Sequence, residues 1–173
     1  MKTVVLGDRP AALAALIERR HALGQDTFDE VWEGAYHMAP APRFGHAFLD
    51  SEVGRVIGPL AKAAGLVLTG PFNLGGPDDY RVPDHGCHRG RPDPATVYLD
   101  TAAVVVEIVS PDDETFEKLP FYATHGVDEV LVIDSASQSV RVMRLAGDHY
   151  EDAPRSGLLG VEAAALGAGI EWP

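Results

Sequence analysis

Cysteine is almost absent from this sequence: Cys87 stands alone among 173 residues. A lone thiol cannot close an intrachain disulfide, and it suits a reducing compartment. Long hydrophobic runs are missing too, and no stretch approaches the roughly 20 apolar residues of a membrane-spanning helix. The N-terminal apolar run Val4-Val5-Leu6 stops at Gly7-Asp8, without the apolar core of a signal peptide. The expectation is a cytoplasmic protein with no membrane partner. Positive charge is scarce: 14 Lys and Arg stand against 26 Asp and Glu, a formal net charge of −12. Such a balance opposes tight, non-specific nucleic-acid binding, which depends on neutralising phosphates. A small local basic patch stays compatible with it. No repeat, low-complexity tract or linker divides the chain, and no glycine-rich phosphate loop of the required spacing follows a strand.

What is present is ordinary for a globular protein. Hydrophobic residues make up 46% and charged residues 23%. The length fits one domain, residues 1–173, large enough to bury a core without staples. A first helix is expected from about Arg9 to His21, with Asp8 as N-cap, Pro10 in the first turn and Gly24 at the stop. Leu13, Leu16, Ile17 and Leu23 give it one apolar face. A hairpin follows, Phe28 to Trp32 and Ala35 to Met38, turning at Glu33-Gly34. The spacing of Leu49, Val53, Val56, Ile57, Leu60 and Ala64 predicts a longer helix from Phe44 to Ala64, ended by Gly65.

Beyond Gly65 the pattern turns to strands: Leu66 to Thr69, Pro71 to Leu74, an extended but broken segment from Asp79 to Cys87 containing Pro83, and Thr96 to Leu99. The run AAVVVEIV, Ala102 to Val109, is β-branched and apolar on both faces, as in a central buried strand. A helix from Phe116 to His125 and a second buried strand, Val130 to Asp134, complete a crossover unit that is expected to be parallel. Val140 to Leu145 pairs with that strand across a polar turn. Pro120 is tolerable only near the first turn of its helix. The fold class is α/β (α+β), a mixed sheet flanked by helices with an added N-terminal helix and hairpin.

Glu107 is the most telling residue. A glutamate inside the most buried strand needs a partner or a cation. The alternative is that it lies at the strand end and reaches water or a nearby Arg. Asp84, aimed by Pro83, becomes the second half of a two-carboxylate site, which is how Mg²⁺ is usually held. Taken alone, Pro-Asp is a common turn element. The backbone carbonyl of Ile108 could add a third oxygen. Lys118, on the helix after the strand, could orient a water nucleophile or balance phosphate charge. It could equally be a surface Lys paired with Glu114. Tyr122 lies one turn beyond it and is taken, with His46 and Arg81, as an accessory residue.

The strings RVPD (Arg81 to Asp84), VVVEIVSP (Val104 to Pro111) and EKLPFYATHGVDEVLVID (Glu117 to Asp134) together resemble the Uma2 family, also called DUF820. The WEGAYHMAP segment and the helix from His46 fit as well. That family is similar to the PD-(D/E)XK restriction-endonuclease fold. The resemblance implies a restriction-endonuclease-like mixed sheet with a Mg²⁺ or Mn²⁺ site at Asp84 and Glu107. Where the parent motif has a Lys two positions after the Glu, this chain has Val109, and Lys118 is the natural replacement. His46 resembles a histidine common at that place in the family.

Two weaker clusters accompany the site. His85, Cys87 and His88 have a spacing that could bind Zn²⁺, but no fourth ligand is evident and chance loop chemistry is preferred. Arg81, Arg89 and Arg91 form a local positive cluster around Asp84, either a phosphate-binding surface or a solvated loop. Two functions remain. The first is a metal-dependent nuclease acting on DNA or another phosphodiester. The second is a non-catalytic oligomerising or protein-binding module with a vestigial site. The apolar residues Leu158, Leu159, Val161, Leu166 and Ile170 exceed what a short terminal segment needs, and they predict a homodimer or larger assembly.

Overall fold

The computed structural model describes residues 3–5, 11–109 and 114–173. The expected N-cap Asp8 and first-turn Pro10 lie outside them. Thr3–Val5 forms β1 and Ala11–Ala22 forms α1, which Gly24 ends with a φ of +63°. No α1 residue is buried, so its apolar face does not join the core. The hairpin of β2 (Glu30–Trp32) and β3 (Ala35–Met38) has a two-residue loop, with Trp32 opposite Ala35. Glu33 and Gly34 both take positive φ, +49° and +84°. That geometry matches the twist of the paired strands.

The long helix α2, Phe44–Ala63, buries Leu49, Val53, Ile57 and Ala61. Ala61 rather than Ala64 closes the stripe, because four-residue steps from Leu49 end there. Gly65, at φ +72°, turns the chain into β4 (Val67–Thr69). The next strand, β5, runs over Asn73–Gly76, two residues later than the sequence suggested. The reason is Gly75, which is a strand residue and not a turn. A Cβ there would collide with the Asp79 carbonyl oxygen and stand 2.8 Å from Phe121 Cζ. Close backbone approach, not a change of direction, demands the glycine.

The broken segment is broken in a consequential way. Its first half, β6 (Asp79–Arg81), pairs with β2 and β5. Its second half, β7 (His85–His88), pairs with β4 and with β9 (Val104–Val109). The short β8, Tyr98–Leu99, sits beside β5. Pro83 lies between the halves, where a residue without an N–H costs no ladder bond. The chain therefore steps from one sheet, ordered β1-β3-β2-β6-β5-β8, into another at Val82-Pro83-Asp84.

After β9, a single 3-10 turn at Thr115–Lys118 leads into α3, Leu119–Thr124, with Pro120 in its first turn as its chemistry requires. The strand β10, Glu129–Asp134, lies parallel to β9, as expected of the crossover. Then come β11 (Ser139–Ala146) and β12 (His149–Ala153), a hairpin on the far edge, then the small pair β13 (Arg155–Ser156) and β14 (Val161–Glu162), and last α4 (Ala163–Gly169). The second sheet has the order β12-β11-β10-β9-β7-β4.

This sheet is apolar on both faces. Val104, Val106 and Ile108 pack with α2, while Val105 packs with Leu74, Tyr122 and Val132 on the other side. By the alternation of a strand, Glu107 belongs with Val105. Leu159, Leu166 and Ile170 are buried in the α2 cluster, and Leu158 and Val161 pack against it. The C-terminal apolar residues are thus consumed by the chain's own core, and they no longer argue for a partner.

Candidate active site

The candidate site forms at the step between the sheets, where β2, β7, β9, α2, the 3-10 turn and α3 meet. Pairing of β7 with β9 ends at His85 opposite Val106. Asp84 lies just before that paired stretch, in the bend after Pro83, and near enough to Glu107 for its charge to act on that carboxyl. Asp84 Oδ2 accepts the Ile108 N–H at 2.7 Å, which fixes the carboxylate against β9. Its Oδ1 lies 3.2 Å from His46 Nε2, in the first turn of α2. That turn has no side-chain cap from Arg43, and His46 faces the carboxylate instead of capping the helix.

Glu107 is only 3% exposed and Lys118 only 4%. Lys118 Nζ donates to Glu107 Oε1 at 3.0 Å and to Oε2 at 3.3 Å. Tyr122 OH donates to Glu107 Oε1. The surface pairing of Lys118 with Glu114 does not form; Glu114 lies 3.6 Å from His37 Nδ1. The tight 3-10 turn delivers Lys118 inward, where an α-helical start at Phe116 would have rotated it.

Glu30 is the residue that sequence reasoning missed. It opens β2, is buried, and takes the Lys118 ammonium on Oε1 at 2.9 Å. The same carboxylate accepts the Val82 N–H at 2.8 Å and Trp32 Nε1 at 2.7 Å. The available signal was a second acidic residue in a strand that otherwise reads apolar, Asp29-Glu30 before Val31-Trp32. Asp29 proves structural, binding Arg20, Tyr36 OH and the Ala39 N–H.

Two buried carboxyl groups, Glu107 and Glu30, thus share one ammonium, with the partly exposed Asp84 nearby. Burial pushes Glu107 up to about 7; Lys118 opposes that shift, and Asp84 and Glu30 add to it. For Lys118, burial favours the neutral amine, but Glu107 and Glu30 outweigh it and hold the ammonium above its ordinary range. Burial raises the Tyr122 phenol as well, with the carboxylates adding to the effect. The negative charge is under-compensated, and that is the condition a divalent cation relieves. The donor set of Asp84 and Glu107 fits a hard cation of the Mg²⁺ class. Among the described residues, no group of three or more His, Cys, Asp or Glu is arranged to hold a metal.

The other sequence candidates separate from the site. Arg81 is buried, its guanidinium 4.5 Å from the Trp32 ring centroid and 4.0 Å from that of Phe121, and it donates to Val31 O at 2.8 Å and to Asp79 Oδ1 at 2.8 Å. Arg89 pairs with Asp128 at 2.7 Å. The arginine cluster is therefore not one phosphate-binding surface: Arg81 is buried and braces the first sheet, while Arg89 stays at the surface in an exposed pair with Asp128. The His85-Cys87-His88 cluster also divides. His85 binds the Asp50 and Thr69 carbonyl oxygens, Cys87 enters the α2 core, and His88 contacts Thr69 Oγ1 on the other side. His85 and Cys87 share the α2 face and His88 takes the opposite one, so the three do not converge on one ion.

Among the described residues, no helix is long and apolar enough to cross a membrane. No curated protein matches the chain. The fold is similar to that of a putative nuclease of the DUF820 family from Anabaena variabilis, with a TM-score of 0.65 at 20% identity, covering 82% of this chain and 90% of that one. The mixed sheets flanked by helices are those of the restriction-endonuclease-like fold. The model of the Uma2 family, described as a putative restriction endonuclease, matches residues 21–171, and over that span this chain belongs to the Uma2 family.

Proposed function

We propose that the protein is a metal-dependent phosphodiesterase of the PD-(D/E)XK nuclease type, acting in the cytoplasm on DNA, with residues 1–173 as one domain. The observation that carries this reading is the buried ion pair of Lys118 with Glu107, one residue before the amide that anchors Asp84. A structural ion pair needs no second carboxylate beside it. A hydrolytic centre needs that arrangement: carboxylates for a cation and an ammonium for the water.

Asp84 and Glu107 would hold Mg²⁺ or Mn²⁺, with the Ile108 carbonyl as a third oxygen. The cation would supply charge stabilisation at the phosphorus and at the leaving oxygen. Lys118 orients the attacking water and balances the charge gathering on the phosphate. Tyr122 fixes the Glu107 carboxylate, and His46 orients Asp84. The assembly proposed is a homodimer; its support is the exposure of Leu16 (45%) and Leu23 (58%) in and just after α1.

The test is nicking of supercoiled plasmid and cleavage of single-stranded DNA, with Mg²⁺ and Mn²⁺ at low salt. Lys118→Met should bind metal as well as or slightly better than the native protein, because a repelling cation has gone. Its cleavage should fall by about 10²-fold or more. Glu107→Gln should weaken both. If Lys118→Met cleaves at the native rate, the assigned mechanism is wrong. One set of observations favours a second reading, a non-catalytic protein-binding module: the net charge of −12 and the burial of Arg81 within the fold. Absence of cleavage by the native protein under all these conditions would select that module.

A further inference from the structure

Lys118 is shared. Its Nζ stands 2.9 Å from Glu30 Oε1 and 3.0 Å from Glu107 Oε1, so one ammonium joins β2 of the first sheet to β9 of the second. Glu107 cannot serve a divalent cation and remain the main partner of Lys118. The cation competes for the same oxygens and repels the ammonium. A buried ammonium left without a carboxylate is strongly disfavoured, so a site containing only Glu107 and Lys118 would resist loading.

Glu30 removes that conflict. Its position does not depend on Lys118, because Trp32 Nε1 holds Oε2 at 2.7 Å and the Val82 N–H holds Oε1 at 2.8 Å. Its donors come from β2 and from the residue just before Pro83, so the carboxylate is tied into the first sheet. It offers the ammonium a fixed second partner that stays available when Glu107 turns to a cation.

We propose that Glu30 is a positioning residue that keeps the Lys118 ammonium in the site when Glu107 binds a divalent cation, so that cation and ammonium are held together. The inference rests on the reading of Asp84 and Glu107 as cation ligands. It adds the element that makes a buried lysine compatible with them. Groups that orient a metal ligand from behind commonly change affinity by about 10–100-fold when removed, and that is the effect expected here.

The experiment is calorimetric titration of Mn²⁺ and Mg²⁺ into the native protein, Glu30→Gln, Lys118→Met and the double variant, with circular dichroism as the check of folding. Glu30→Gln should weaken binding by about 10–100-fold. In the Lys118→Met background the same substitution should change affinity by less than about twofold, because no ammonium remains to be held. An equal loss in both backgrounds would mean that Glu30 only supports the fold, and the proposal would be overturned. A second measurement needs no Glu30 variant. Trp32 donates to Glu30, and Trp172→Phe leaves Trp32 as the only indole. Mg²⁺ should change Trp32 emission with the calorimetric midpoint, and Lys118→Met should abolish that change while the cation still binds. Emission that is silent while Mg²⁺ binds would sink the positioning role alone. A native protein that binds neither ion would sink it together with the metal reading.

Discussion

Glu107 owes its character to what surrounds it, not to its place in the chain. Burial alone would neutralise it, and the Lys118 ammonium keeps its proton in competition near neutrality, at about 7. A carboxyl whose folded value lies above its ordinary 4.5 stabilises the fold fully below that value. The contribution is lost as pH rises through the folded value. His85, raised by Asp50 against the opposing effect of its own burial, loses its contribution in the same direction. The metal-free protein should therefore become easier to unfold in urea between roughly pH 5 and pH 7.5. Glu107→Gln should flatten most of that slope, and an unchanged slope would show that Glu107 does not titrate in this range. At the same scale Cys87 is inert: burial pushes its thiol up to about 12. Thiol reagents should label it at pH 8 only after denaturant is added, and rapid labelling of the folded chain would contradict its burial.

The elements matter through their breaks more than their regular stretches. Pro83 ends one strand and starts another in a different sheet, with the Val82 N–H bound to Glu30 and Asp84 bound to the Ile108 N–H. The site is the seam that this break creates. The 3-10 turn before α3 has the same role for Lys118. Far from the seam, α4 shows what the C-terminal apolar residues do. Leu166 is 1% exposed against the α2 cluster. Leu166→Ala should cost about 2–5 kcal/mol in chemical denaturation without changing metal affinity. A loss below 1 kcal/mol, roughly the scale of a surface change, would show that α4 is not part of the core.

Over the whole molecule the charge is the governing quantity. With a net charge of −12 and Arg81 buried in the structure, the protein has little with which to release counterions from DNA. Binding to random duplex, measured by anisotropy with Ca²⁺ in place of Mg²⁺ at physiological salt, should be weaker than about 10⁻⁶ M. Submicromolar binding with a steep salt dependence would overturn this expectation. A monomer by light scattering at micromolar concentration would remove the homodimer, whose exposed residues at α1 would then be mere surface.

The sequence by itself determined much of the framework. Periodicity located α2, the buried strand β9 and the parallel β10, because an apolar repeat of fixed period leaves few ways to bury a face. The strangeness of a glutamate in AAVVVEIV was legible for the same reason, as was the break at Pro83. Which charges would meet was not legible. Glu30 lies in a hairpin far along the chain from Lys118; its place in an apolar strand marks it as unusual but does not say which charge it meets. Arg81 stood beside Asp84 in sequence, yet folding turned it under Trp32 and Phe121. A buried ion pair depends on the three-dimensional path that brings distant side chains into one dry space. That path was decided by the packing of the two sheets across Pro83, which no window of the sequence contains.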